Sequence, residues 1–170
     1  MDKRGLDALM VRVAHGDNEA FSRLYEETKR GVFAFAYTYL GNYADAEDAM
    51  QETYLAVKRS AALYRTGTDV RAWLFEIAKN RSLDELRKRK RRLENEAEET
   101  AAGAMTAEGF PALDLMTEIL SGEEKEIVLL HAVWGYKHRE IAEMKKLPLG
   151  TVTWKYKAAI EKLKKEWENA

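Results

Sequence analysis

The chain has no cysteine, only two prolines among its 170 residues and no long apolar run. Without cysteine it forms neither disulfides nor thiolate metal sites, which is typical of a protein from the reducing cytoplasm. The shortage of proline and the lack of alternating β-branched residues predict an all-α protein. No stretch reaches the roughly 18–20 apolar residues of a membrane span, and the charged N-terminus lacks a signal-peptide core. We therefore expect no membrane insertion.

Residue patterns that carry enzyme chemistry are also scarce. The three histidines, His15, His131 and His138, lie apart in the sequence, with no carboxylate at metal-ligand helical spacing. There is neither a glycine-rich phosphate loop nor a nucleophile motif. The four carboxylates at positions 45, 47, 48 and 52 could bind a hard cation, but no sharp glycine turn accompanies them. A solvated or partner-binding acidic face is the preferred interpretation, and we expect no metal, no cofactor and no enzyme activity.

Charge divides the chain into three parts. Residues 1–92 hold 18 Lys+Arg against 14 Asp+Glu, residues 93–110 hold five Glu and no basic residue, and residues 111–170 hold 10 of each sign. The middle part consists of Ala, Glu, Thr and Gly with little to bury, which is typical of a flexible linker. We predict a domain at 1–93, an acidic linker at 94–110 and a second domain at 111–170.

The first part shows helical periodicity almost throughout. We predict helices over 5–15, 17–30, 31–41, 45–60 and 69–92, with Asp17 as an N-cap and a loop over 61–69. The last of these helices ends in six consecutive basic residues, 87–92, which point in every direction around a helix axis. Such a run suits a nucleic-acid backbone, but a solvated helix end explains it equally well.

The second part has the pattern of a helix-turn-helix. Ser121 and Glu124 form a capping box, and the helix that they begin is expected to stop near Gly135. A short helix over 138–146, a turn at 147–150 and a longer helix from Thr151 then follow. The apolar stripe of the longer helix leaves Trp154 on its outward side. These residues favour DNA binding by two small helical domains.

Three sequence blocks carry a family resemblance. They are DAEDAMQETYL at 45–55, RAWLFEIAKNRSLDELRKRKRR at 71–92 and EIAEMKKLPLGTV at 140–152. In this order and spacing they resemble the extracytoplasmic-function sigma factors of the sigma-70 family. The resemblance implies a sigma-2-like helical bundle and a sigma-4-like helix-turn-helix domain joined by the acidic linker. It also implies promoter-specific transcription initiation in the cytoplasm, with core RNA polymerase, promoter DNA and an anti-sigma factor as partners.

The resemblance also implies roles for individual residues. The β′ clamp helices of the polymerase would bind Asp45, Asp48, Gln51 and Glu52, and the β flap is the second part of the polymerase expected as a partner. The −10 element would contact Tyr64, Arg65, Arg71, Trp73, Lys79, Asn80, Arg81, Arg87 and Lys88. The −35 element would contact Arg139, Thr151, Thr153, Trp154, Lys155 and Lys157.

Two departures from the family pattern stand in the helix-turn-helix. The turn usually written L-G-I-P is Lys145-Lys146-Leu147-Pro148 here, and a left-handed lysine at 146 would cost on the order of 1 kcal/mol. Trp154 and Ala158 also replace the usual Ser and Arg of the reading helix. The docking mode should carry over, whereas the −35 sequence preference should not. An ordinary helix-turn-helix regulator and an all-helical protein-interaction adaptor remain the alternatives.

Overall fold

The computed structural model describes residues 1–95 and 109–170. Both stretches are α-helical and contain no strand, which confirms the all-α prediction. The helices are α1 (Lys3–Ala14), α2 (Asn18–Leu40), α3 (Tyr43–Ser60), α4 (Val70–Asn95), α5 (Pro111–Ile119), α6 (Gly122–Ala132), α7 (His138–Lys145) and α8 (Leu149–Asn169). We call α1–α4 the N-terminal bundle and α5–α8 the C-terminal bundle. Within the described ranges, no helix is long and apolar enough to span a membrane.

The N-terminal bundle is built around apolar side chains from all four helices. Met10, Leu24, Val57 and Leu74 each have no exposed surface. Asp17 caps α2 as predicted, because its carboxylate accepts a hydrogen bond from the Ala20 amide at 3.0 Å. A single 3₁₀ turn, Ala61–Leu63, follows α3 directly and begins the loop that leads to α4.

The helices predicted over 17–30 and 31–41 form one continuous helix, so the predicted boundary between residues 30 and 31 was wrong. Glycine inside a helix costs only about 1 kcal/mol relative to alanine, which the packing of a 23-residue helix readily offsets. The true end comes at Gly41, which adopts φ 72° and donates its amide to the Tyr37 carbonyl at 2.7 Å. Gly31 has a packing role instead, since its missing side chain leaves room for the Trp134 indole.

The C-terminal bundle contains the predicted helix-turn-helix. Its core includes Ile127, Leu130, Ile141 and Val152, none of which has exposed surface. The capping box at Ser121 is present in both directions. The structure moves two boundaries: α6 ends at Ala132, before Gly135, and α8 begins at Leu149 rather than at residue 151.

The two bundles pack directly against each other through α2, α5 and α6. Tyr37 donates a hydrogen bond to Asp114 at 2.5 Å, and Tyr39 donates one to Glu126 at 2.7 Å. The predicted linker at 94–110 lies mostly outside the described residues. At its edges, Glu94 and Asn95 continue α4, and Phe110 packs edge-on against Phe33 and Tyr37.

Candidate functional site

The outer face of α3 presents polar side chains to solvent. Asp48, Gln51 and Glu52 are exposed, while Ala49 and Thr53 of the same helix are buried. This follows from the helical period, since a buried stripe on one side leaves the intervening residues on the other. The face therefore offers two carboxylates and an amide to a partner.

Asp45, predicted to belong to the same face, is instead tied into the N-terminal bundle. It forms an ion pair with Arg89 of α4 and accepts a hydrogen bond from the Asn42 amide group at 2.9 Å. Burial opposes ionisation, yet the bonds from Asn42 and Arg89 hold the pKa of Asp45 below its ordinary value. This carboxylate joins the start of α3 to α4.

Basic side chains of α4 border the acidic face of α3. A cleft of about 340 Å³ between the two helices is lined by Asp48, Glu52, Arg81, Lys88 and Arg91. Two members of the basic run form ion pairs within the N-terminal bundle: Arg89 pairs with Asp45, and Arg92 pairs with Glu85 at 3.1 Å. Lys88, Lys90 and Arg91 are exposed, and Lys90 lies 4.0 Å from Glu94.

An open aromatic cleft lies where the 61–69 loop meets α4. The Tyr64 and Trp73 rings lie 5.5 Å apart at 57° and form one wall of a cleft of about 400 Å³. Leu63, which is 81 % exposed, and Arg65 also line it, together with the acids Asp69 and Glu76. Flat rings beside a basic side chain suit an unstacked nucleobase with its phosphate. Asn80 and Arg81 lie further along α4, around a separate cleft with Ala56 and Ile77.

One contact at this cleft was missed by the sequence interpretation. Asp7 of α1 accepts hydrogen bonds from the Tyr64 hydroxyl at 2.6 Å and from the Gly67 amide at 3.0 Å. The partners lie 57 and 60 residues away along the chain, so periodicity and spacing carry no signal for it.

Two basic residues that were predicted to contact the −10 element bind groups of the C-terminal bundle instead. Arg71 donates to the Trp134 carbonyl at 2.9 Å and lies over the Tyr136 ring at 5.0 Å. Lys79 forms an ion pair with Glu126 at 2.8 Å. We call this packing of the two bundles the closed arrangement; in it both charges are engaged by the C-terminal bundle.

Glu126 is the centre of the closed arrangement. It is only 4 % exposed and has three donors: Tyr39 and Lys79 from the N-terminal bundle and Lys145 from α7. Burial raises the pKa of this carboxyl, and the hydrogen bonds from Lys145, Lys79 and Tyr39 outweigh that effect and lower it. A buried carboxylate with three donors fixes how the two bundles face each other.

Helix α8 is the second helix of the helix-turn-helix, and the side chains predicted to contact the −35 element differ in their exposure. Trp154 is 67 % exposed, and Arg139 and Lys157 are also exposed. Lys155 forms an ion pair with Glu123 of α6, and Thr153 contacts His138 at 3.2 Å. The Trp154 indole therefore lies outside the core, as its position on the outward side of α8 predicted.

The turn before α8 contains the strained lysine. Lys146 adopts φ 53° and ψ 45°, the left-handed region where the family pattern has glycine. It is the only non-glycine residue with positive φ in residues 1–95 and 109–170. The expected cost of on the order of 1 kcal/mol therefore applies.

Two histidines that lie apart in the sequence are neighbours in space beside α8. The rings of His131 and His138 lie 4.5 Å apart, and both pack on Tyr156. Burial, His131 and Lys157 lower the pKa of His138. Within the part of the chain that the structure describes, no group of three or more His, Asp or Glu is arranged to hold a metal ion.

Comparison with known proteins agrees with this geometry. The family model for sigma-70 region 2 matches residues 24–92. The chain is 31 % identical over 163 residues to the RNA polymerase sigma factor CarQ of Myxococcus xanthus, covering 91 % of this chain and 93 % of CarQ. It is 25 % identical over 173 residues to the ECF RNA polymerase sigma factor SigW of Bacillus subtilis, covering 91 % and 92 %.

Two solved structures share the fold. CnrH, in complex with the cytosolic domain of CnrY, matches with a TM-score of 0.69 at 22 % identity, over 97 % of this chain and 98 % of CnrH. The sigma factor RpoE, in complex with the anti-sigma factor NepR from Bartonella quintana, matches with a TM-score of 0.66 at 21 % identity, over 87 % and 96 %. The chain therefore belongs to the extracytoplasmic-function sigma factors of the sigma-70 family, which direct RNA polymerase to promoters and initiate transcription.

Proposed function

We propose that this sigma factor divides its work between two units, residues 1–93 and 111–170, joined by residues 94–110. The first binds core polymerase and opens the −10 element, and the second reads the −35 element and meets the β flap. The observation that carries the proposal is the layout of the N-terminal bundle, where an exposed acidic face on α3 borders the basic run of α4 and an aromatic cleft lies near the start of α4.

The acidic face of α3 is proposed to bind the β′ clamp helices. Asp48, Gln51 and Glu52 are exposed and lie in the block that resembles the clamp-binding segment of the family. Charge complementarity at such a contact sets orientation and association rate more than raw affinity. Asp45, being paired with Arg89, contributes by holding the start of α3 in place.

The cleft of Tyr64 and Trp73 is proposed to receive an unstacked base of the −10 element. Extruding a base costs a few kcal/mol, and stacking on aromatic rings recovers about 1–3 kcal/mol per base. Arg65 at the cleft supplies a positive charge for the adjoining backbone, and Arg81, Arg87 and Lys88 continue that charge along α4. Asn80 is exposed and is proposed to hydrogen-bond DNA nearby.

The closed arrangement must open before this surface is complete. Arg71 and Lys79 reach phosphates only after they leave the Trp134 carbonyl and Glu126. We propose that polymerase binding separates the bundles and frees both cations. The reading helix, with Trp154, Lys157 and Arg139 exposed, remains free to dock in a major groove in either arrangement.

The regulation and setting of the protein follow from its family. RpoE was solved with an anti-sigma factor bound, and we propose that a comparable anti-sigma protein holds this chain inactive. We further propose that the chain acts in the cytoplasm, without a cofactor and without catalysing a reaction of its own.

The polymerase-binding proposal is tested by reversing one charge. Asp48→Arg is expected to abolish binding to core RNA polymerase, because it places a cation against a basic partner surface. Glu26→Arg, at an exposed acid on α2, is the matched control and should bind as the parent does. Both variants should keep their helical content by circular dichroism. Wild-type affinity of Asp48→Arg for core polymerase would show that α3 is not the contact.

A further inference from the structure

The loop that forms the aromatic cleft has little apolar packing of its own. Residues 65–68 are all exposed, and Gly67 turns through φ 87° at the tip. Within the loop, the Thr68 amide and hydroxyl both bond to the Arg65 carbonyl, at 3.2 and 2.8 Å. An exposed segment with so few buried contacts belongs to the part of a protein that opens most readily.

Asp7 ties this loop to the bundle from a different helix. A single carboxylate oxygen, Oδ1, accepts from the Tyr64 hydroxyl before the turn and from the Gly67 amide at its tip. The Tyr64 hydroxyl also lies 2.9 Å from the Thr68 carbonyl, but a phenol has one proton. The 2.6 Å bond to the carboxylate is the charge-assisted and stronger one.

The protonation states suit this contact at neutral pH. The hydrogen bonds from Tyr64 and Gly67 lower the pKa of Asp7, so the carboxylate is ionised. Burial and the bond to Asp7 raise the pKa of Tyr64 to about 12, so the phenol keeps its proton. Asp7 therefore fixes both the ring that lines the cleft and the turn beside it.

We propose that Asp7 is a positioning residue for −10 base capture. It holds the loop in its capturing shape before DNA arrives, so that binding a base does not have to order the loop first. The inference rests on the proposed role of the Tyr64–Trp73 cleft. Asp7 lies on α1, before the segment at 24–92 that matches the family model, so nothing in that match assigns it a role.

The test is promoter selectivity of reconstituted holoenzyme on a library with a randomised −10 element. Asp7→Ala removes two charge-assisted hydrogen bonds and should reduce discrimination between the preferred −10 sequence and its single-base variants by at least about tenfold, the value of one such bond. Tyr64→Phe keeps the ring and removes only the donor, so it should show part of that loss, because the bond from the Gly67 amide to Asp7 remains. Asp7→Asn keeps an oxygen acceptor without the charge, so its loss of discrimination should be smaller than that of Asp7→Ala.

Controls separate positioning from general damage to α1. Asp2→Ala removes the N-cap of the same helix, whose carboxylate bonds to the Gly5 amide at 2.9 Å, without touching the loop. It should leave −10 discrimination unchanged, and every variant should keep core affinity and −35 discrimination. Wild-type selectivity in Asp7→Ala, equal losses in Asp2→Ala and Asp7→Ala, or a loss in Asp7→Asn as large as that in Asp7→Ala would each overturn the inference. Parent holoenzyme without any −10 discrimination would instead refute the proposed function of the cleft.

Discussion

Gly31 offers a way to open the closed arrangement without weakening either bundle. It lies in the middle of α2, and a Cβ added there would come within 2.8 Å of Trp134 Cε2 and 2.9 Å of Cζ2. The indole is 5 % exposed and has little room to move aside. Gly31→Ala therefore forces the backbone of α2 and the buried Trp134 indole apart across the boundary between the bundles.

The size of the effect follows from two opposing terms. Alanine stabilises the interior of α2 by roughly 0.5–1 kcal/mol over glycine, in the closed and open forms alike. Overpacking costs about 1–3 kcal/mol and applies to the closed form alone. The ratio of closed to open protein should therefore fall by about 5- to 150-fold, while the N-terminal bundle becomes slightly more stable.

Energy transfer between two dyes measures this ratio directly. Because the chain lacks cysteine, Arg23→Cys and Lys165→Cys, at exposed positions on α2 and α8, give one dye site in each bundle. Gly122→Ala is the matched control, since its Cβ would meet only the Tyr39 hydroxyl, at 3.9 Å. We expect reduced transfer in Gly31→Ala and unchanged transfer in Gly122→Ala. Parental transfer in a folded Gly31→Ala protein would show that the Trp134 contact does not hold the bundles together.

Three further outcomes follow from individual contacts. Lys146→Gly should raise the free energy of unfolding by about 1 kcal/mol in chemical denaturation, because glycine adopts the left-handed conformation without strain. Trp154→Ala should weaken −35-dependent transcription by roughly 1–3 kcal/mol in a way that depends on the −35 sequence, whereas Lys157→Ala, at an exposed lysine of the same helix, should weaken all −35 sequences alike and flatten the salt dependence. The pKa of Glu126 is lowered in the folded protein, so its ion pair with Lys79 is complete above the ordinary carboxyl pKa of 4.5 and is lost as the pH falls through the lower folded pKa. Energy transfer between the dyes on the two bundles should therefore drop only in that acidic range.

Local sequence signals predicted the elements of the fold well. The N-cap at Asp17 and the capping box at Ser121 are short-range features, and both are present in the structure. The exposed position of Trp154 likewise follows from the helical period of α8. The predicted helix boundary at Gly31 was wrong because a glycine can either end a helix or leave room for a neighbouring ring. Only the tertiary structure decides which of the two roles it has.

Contacts between distant residues could not be predicted in this way. Asp7 reaches Tyr64 across 57 residues, and Lys79 meets Glu126 from the other bundle. The family resemblance assigned Lys79 to DNA, and the positive charge that suits a phosphate is equally suited to a buried carboxylate. The pairing depends on how the bundles pack, and no local periodicity encodes that.

Run-off transcription with core RNA polymerase is the decisive measurement for this protein. Added to core enzyme on DNA from its native genome, the chain should produce transcripts from defined start sites, and these should disappear when the −10 or −35 sequence is altered. A chain that binds DNA but leaves the transcripts of core polymerase unchanged would be an ordinary helix-turn-helix regulator. One that binds neither DNA nor polymerase would be an interaction adaptor, and either result would contradict a sigma-factor function.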